Sequence, residues 1–117
     1  MDIQELIDNV RAWGIAKGIT GPNGKGTLLG QLEKTQEELT ETRDAAVMHD
    51  VSVATDSTLA MESHDMIKDG IGDTVVTLIL AAEMAGLRFE DCLAAAYDEI
   101  KGRTGRMEDG VFIKDAP

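Results

Sequence analysis

The stretch Lys68–Leu87, KDGIGDTVVTLILAAEMAGL, decides the fold, because it sets carboxylates on the side of a helix that should bury apolar side chains. From Val75 to Ala82 it is apolar on almost every side, the mark of a buried helix. With about 100° per residue and Asp73 at the origin, Leu80 and Met84 fall within about 20° of it and Asp69 within about 40°. Asp69 and Asp73 thus continue the stripe that carries the buried residues. Acids are almost never fully buried unless they are paired or bound to a cation. Upstream, the acidic run QLEKTQEELTE supplies further carboxylates, and the two clusters together suggest a metal site.

Outward from this segment the chain reads as helices. Residues 3–18 predict a first helix, with Ile3, Leu6, Ile7, Val10, Trp13 and Ala16 on one face and Gly18 at its end. The connection GITGPNGKG is turn-rich, and Thr27 is placed to cap a second helix running to about His49. Leu28, Leu32, Leu39 and Ala46 form its apolar stripe, with Gln36 and Arg43 in register. Residues 50–58 lack helical periodicity and predict a loop or short extra turn. The third helix covers roughly 59–85 and stops at Gly86. A fourth follows in RFEDCLAAAYDEIKGRTG, with Leu93, Ala96, Tyr97 and Ile100 expected to face inward and Glu90 and Asp91 matching the helix dipole. Asp109-Gly110 between short β-capable pieces signals a hairpin. The expected architecture is one all-α domain over residues 1–117, a four-helix bundle with a hairpin-like tail. Three companions are too few to cover a helix that is apolar all round, so completion by a second subunit is expected. A compact monomer is the alternative.

Composition bounds the function. The chain has 117 residues with 43% apolar content, but its aromatics are only Trp13, Tyr97, Phe89 and Phe112, so the core is aliphatic. A net charge of −11 disfavours duplex nucleic acid, whose binding rests on Lys and Arg contacts to phosphate. It leaves room for a small phosphorylated ligand arriving with divalent cations, although solubility alone explains most of the acids. Cys92 is single, which excludes an intrachain disulfide and fits a reducing compartment; a small buried role is expected for it. The start, MDIQELID, is unlike a signal peptide, and Val75–Ala82 is far short of the ~20 residues of a membrane span. A cytoplasmic location is expected, in the host cell if the chain is phage-encoded.

Glu38 and Glu41 are three residues apart and share a helix face. With Asp69 and Asp73, one turn apart on another helix, they could enclose magnesium, or manganese, which takes oxygen ligands and is readily shared with substrate phosphates. Locally, Glu33, Glu37, Glu38, Glu41 and Asp44 also fit a solvated face. Two other patterns carry less. GPNGKGT lacks the first Gly and the Ser or Thr of a phosphate loop, and no strand precedes it. His49-Asp50 and His64-Asp65 evoke the HD-type phosphohydrolases, which use more histidines than these two. Lys101, Arg103 and Arg106 are a dense basic cluster, suited either to phosphate contact or to the helix dipole.

Helix, turn, KTQEELTE, a spacer and an IGD-apolar helix resemble the MazG-like all-α nucleoside triphosphate pyrophosphohydrolases. That family pattern is Glu-Glu-x-x-Glu, roughly 12 to 28 residues, then Glu-x-x-Asp. Here Glu37-Glu38-x-x-Glu41 is complete and 28 residues precede Gly70-Ile71-Gly72-Asp73, with Gly70 where the pattern has Glu. Glu62-Ser63-His64-Asp65 meets the bare spacing too, but no apolar run follows it. The resemblance spans roughly Val10 to Asp115, and the ending DEIKGRTGRMEDGVFIKD looks like the phage-type branch. It implies a homodimer or homotetramer that hydrolyses (deoxy)nucleoside triphosphates to the monophosphate and pyrophosphate. It also implies Glu38, Glu41 and Asp73 as magnesium ligands and Glu37 as a further acid that orients or activates water. Asp69 is added on helical geometry, in place of the carboxylate lost at Gly70. Lys34, Lys101, Arg103 and Arg106 are the expected substrate contacts. The alternative is a non-catalytic helical oligomer that keeps the fold and binds nucleotide.

Overall fold

The computed structural model describes residues 1–116. Four helices, α1 (Ile3–Ala16), α2 (Leu28–Ser52), α3 (Ser57–Met84) and α4 (Phe89–Ile100), precede strands β1 (Gly105–Glu108) and β2 (Val111–Lys114). The mostly helical reading stands, with a two-stranded antiparallel sheet at the end of the chain. Side-chain caps start the first three helices: Asp2 accepts from Glu5 N at 2.8 Å, Thr27 from Gly30 N at 3.1 Å, and Asp56 from Leu59 N at 3.1 Å. Gly18 and Gly86, at φ +74° and +73°, take the left-handed conformation that ends a helix. The hairpin turns at Asp109 and Gly110, both with positive φ, and pairs Arg106 with Ile113 and Met107 with Phe112. The loop expected over 50–58 shrinks to residues 53–56, because α2 runs on to Ser52 and α3 begins at Ser57.

The main packing unit is the antiparallel pair α2 and α3, and its seam is not the one the leucines suggest. On α2 the covered positions are Gln31, Thr35, Glu38, Thr42, Ala45, Ala46, His49 and Ser52, all but Ala46 in alternating steps of four and three. Opposite them α3 presents Ser63, Gly70 and Thr77, seven residues apart and all buried. These small side chains let the backbones approach closely and satisfy one another. The Thr35 and Thr77 hydroxyls are 2.8 Å apart, and His49 Nδ1 lies 3.2 Å from Ser63 Oγ. Of the expected stripe of Leu28, Leu32, Leu39 and Ala46, the three leucines are exposed, Leu39 at 48%, and only Ala46 is half-buried. A leucine seam would have held the two helices further apart than this hydroxyl-bonded one.

Gly70 is required by this approach. A Cβ there would collide with the Thr42 side chain. The Thr42 hydroxyl is itself pinned, donating to the Glu38 carbonyl at 2.6 Å. Gly70→Ala is therefore expected to cost about 1–3 kcal/mol, despite the better helix propensity of Ala, as overpacking does. Thermal melting checks this, and adding Thr42→Ala to the Gly70→Ala chain should recover most of the loss.

α1 lies across α3 where Gly14 admits Leu80, which with Ile7, Ile79, Ala81 and Ala82 forms the aliphatic core. Arg11 is buried there, at a position that hydrophobic periodicity does not mark. It contacts Asp8 at 2.7 Å, Glu83 of α3 at 2.8 Å, and Glu90 in the first turn of α4. α4 leaves α3 at a bend of 103°. Its expected inward face is exposed, with Leu93 and Tyr97 both 60% accessible, and Cys92 is exposed rather than buried. A four-helix bundle is thus not closed within one chain. The radius of gyration, 17.2 Å, exceeds the ~13 Å of a compact chain of this length. Among the described residues no single helix is long and apolar enough to cross a membrane.

Candidate functional site

The two acidic clusters meet across the α2–α3 seam. Glu38, Glu41 and Thr42 from α2 and Met66, Asp69, Gly70 and Asp73 from α3 line one cavity of about 170 Å³. The seam's own spacing explains this arrangement. Glu38 occupies a seam position, and its side chain is only 12% exposed. Gly70 occupies the seam on α3, so Asp69 and Asp73 flank it and reach the cavity from its rim. Asp69 and Asp73 are exposed, not buried along the apolar stripe as expected. Any side chain at position 70 would press into Thr42, so the carboxylates on this part of α3 stand beside the seam, at Asp69 and Asp73.

Of the two possible second halves of the motif, only the one ending at Asp73 reaches this cavity. In the other, Ser63 is buried in the seam while His64 and Asp65 line a different cavity near the α2–α3 turn. Glu37 stands outside the acidic cavity, on the solvent side of α2. Lys34 bridges Glu37 and Glu38, at 3.6 Å from each, and its pKa is raised, first by Glu37 and then by Glu38. Lys34 is an exposed side chain and stays charged at neutral pH. Whatever stability this pairing contributes is present below the unfolded pKa of 10.5 and is lost only as pH rises through the higher folded value.

A second cavity, of about 360 Å³, adjoins the first and shares Glu38 and Asp73 as walls. Trp13, Ile19, Val76 and Leu80 give it an apolar side, and Gln31 and Lys34 a polar one. Trp13, on the expected apolar face of α1, is 46% exposed and lines this cavity. No sequence spacing links residue 13 to residues 38 and 73; the crossing of α1 over α3 does.

Lys101, Arg103 and Arg106 line neither cavity. Lys101 pairs with Asp98 at 3.1 Å and Arg106 with Glu108 at 3.2 Å, while Arg103 lies beside the hairpin. They leave with α4 as it bends away from α3, so within one chain Lys34 is the expected basic contact that stands at the site. Comparison with known protein families, curated proteins and solved structures found no match.

The donor set suits a hard divalent cation, which takes oxygen ligands. Glu41, Asp69 and Asp73 have no basic partner among the described residues, and Glu38 has only Lys34. The four acids share the cavity without converging, since no three carboxylate, histidine or cysteine side chains stand close enough together to hold one ion among the described residues. Closure of the acids onto a cation would need side-chain rotation at the rim, which exposure permits for Glu41, Asp69 and Asp73.

Proposed function

We propose that this chain is the subunit of a magnesium-dependent hydrolase that splits (deoxy)nucleoside triphosphates into the monophosphate and pyrophosphate. The observation that carries the reading is the joining of two unlike cavities through Glu38 and Asp73. One is walled by four carboxylates of which, among the described residues, only Glu38 has a basic partner, Lys34, and the other has an indole and aliphatic side chains at its mouth. A nucleotide has the matching halves, a polyphosphate that arrives with cations and a planar base. Glu38, Glu41, Asp69 and Asp73 would hold magnesium, or manganese in its place. When bound, the cation neutralises phosphate charge and lowers the pKa of bound water. The chain's own tasks are to position and to exclude. Lys34, held charged by Glu37 and Glu38, offers a donor for phosphate at the shared wall, and Trp13 offers a face for the base. Glu37, outside the cavity here, would act on water only through Lys34 or after rotation.

The test is direct. A panel of nucleotides is incubated with the protein and magnesium, and pyrophosphate is separated from orthophosphate. Equal amounts of pyrophosphate and monophosphate are expected, and orthophosphate alone would overturn the reading. Trp13 is the single tryptophan, so substrate binding should also change the intrinsic fluorescence. A second reading is a non-catalytic nucleotide-binding oligomer. The observation that favours it is the lack of three converging ligands. A fluorescence change without turnover of any nucleotide would select it.

The same proposal includes a homodimer, or a dimer of such dimers. Leu32 and Leu39 on α2, Leu93, Tyr97 and Ile100 on α4, and Phe112 on the hairpin are all more than two-fifths exposed. One chain leaves an apolar surface too broad for a stable solitary subunit. Sedimentation at micromolar concentration should show at least twice the 12.6 kDa chain mass. Leu39→Glu should shift the protein toward the monomer and lower its melting temperature, whereas a folded parent monomer would refute the assembly.

A further inference from the structure

Near the turn between α2 and α3, away from the acidic cavity, the two histidines of the chain come together. Their ring centres are 5.8 Å apart, with the planes at 47°. They sit 15 positions apart in sequence, one near the end of α2 and one in the second turn of α3, and the antiparallel pairing brings them level. Both line a cavity of about 310 Å³ with Ala60, Met61 and Asp65.

The hydrogen bonds around His49 set its chemistry. Its Nδ1 lies 3.0 Å from the Ala60 carbonyl oxygen, which can only accept. Nδ1 therefore carries the proton, and in the neutral ring Nε2 keeps a free lone pair. Ser63, fully buried, supports this arrangement by donating to the same carbonyl at 3.1 Å. Backbone hydrogen bonding at one ring nitrogen is the way proteins fix the other for metal binding. His64 makes no hydrogen bond or ion pair among the described residues, so its nitrogens are uncommitted.

The spacing admits a shared ion. With about 2.1 Å from metal to nitrogen and about 1.2 Å more to the ring centre, two imidazoles on one ion have centres at most roughly 6.6 Å apart. The observed 5.8 Å lies inside that limit. Asp65 walls the same cavity without converging on the pair, so the protein supplies two nitrogen donors and leaves the other positions to water or a turned carboxylate. We infer that His49 and His64 form a binding site for a borderline first-row transition ion, zinc or nickel in class rather than magnesium, which clips the ends of α2 and α3 together. Imidazole nitrogen suits such ions, whereas magnesium prefers oxygen.

The inference is independent of the hydrolase reading, and its test keeps the two apart. Zinc is titrated by calorimetry into the full chain at neutral pH, with excess magnesium present to occupy any hard-oxygen site. One zinc per chain is expected, with a rise in melting temperature on binding. His64→Ala, at an exposed position without partners, should weaken zinc binding roughly tenfold or more and leave the metal-free melting unchanged. Asp73→Asn should bind zinc as the parent does. No zinc bound at millimolar concentration, or zinc binding that survives His64→Ala, would overturn the site.

Discussion

Replacing Asp73 by Asn is expected to lower nucleotide turnover by on the order of 100-fold and to weaken magnesium binding, while the metal-free protein loses no stability. Asp73 walls both cavities, so its loss should exceed that of Asp69→Asn, which touches only the acidic one. The stability half of this expectation follows from the partners. Neither acid meets a Lys or Arg among the described residues, so an Asn leaves no buried cation stranded. In a chain of net charge −11, removing one of several neighbouring carboxylates relieves repulsion. Melting each variant in EDTA and in magnesium checks both halves. The magnesium-induced shift should shrink, and the EDTA value should stay level or rise. A fall in EDTA with an unchanged magnesium shift would mean that these acids stabilise the fold rather than hold a cation.

The opposite sign is expected at Arg11. Its guanidinium is only 10% exposed and joins Asp8, Glu83 and Glu90 from three helices. Arg11→Ala leaves Glu83 without a basic partner among the described residues and Glu90 with only the longer Arg88 contact at 3.4 Å, both acids mostly covered. Breaking a buried pair in this way costs about 3–5 kcal/mol, enough to lower the melting temperature by on the order of 10 °C. Because Glu90 anchors the first turn of α4, amide exchange in α4 should accelerate before exchange in the α2–α3 pair. Arg11→Lys keeps the charge but not the fork of donors, so it should recover only part of the loss. Equal protection of α4 in the parent and Arg11→Ala would show that α4 is held by something else.

What the sequence determined by itself is local. The helix start at Thr27 follows from a short side chain that satisfies a free amide of the first turn, and helix ends at Gly18 and Gly86 follow from left-handed glycine. The Asp109-Gly110 turn follows from its positive φ values. The face shared by Glu38 and Glu41 is equally local, because three residues make nearly one helical turn. Periodicity could not say which of two faces of α2 meets α3. Hydrophobicity ranks the leucines first, but the close approach at Gly70, the hydroxyl pair Thr35–Thr77 and the imidazole–hydroxyl contact His49–Ser63 select the small polar face. That tertiary choice put Glu38 at the wall of both cavities and paired His49 with His64, while the crossing of α1 over α3 brought Trp13 to the second cavity and buried Arg11 between helices. Each of these contacts joins residues distant in sequence, and the distance between two helices depends on the side chains of both at once.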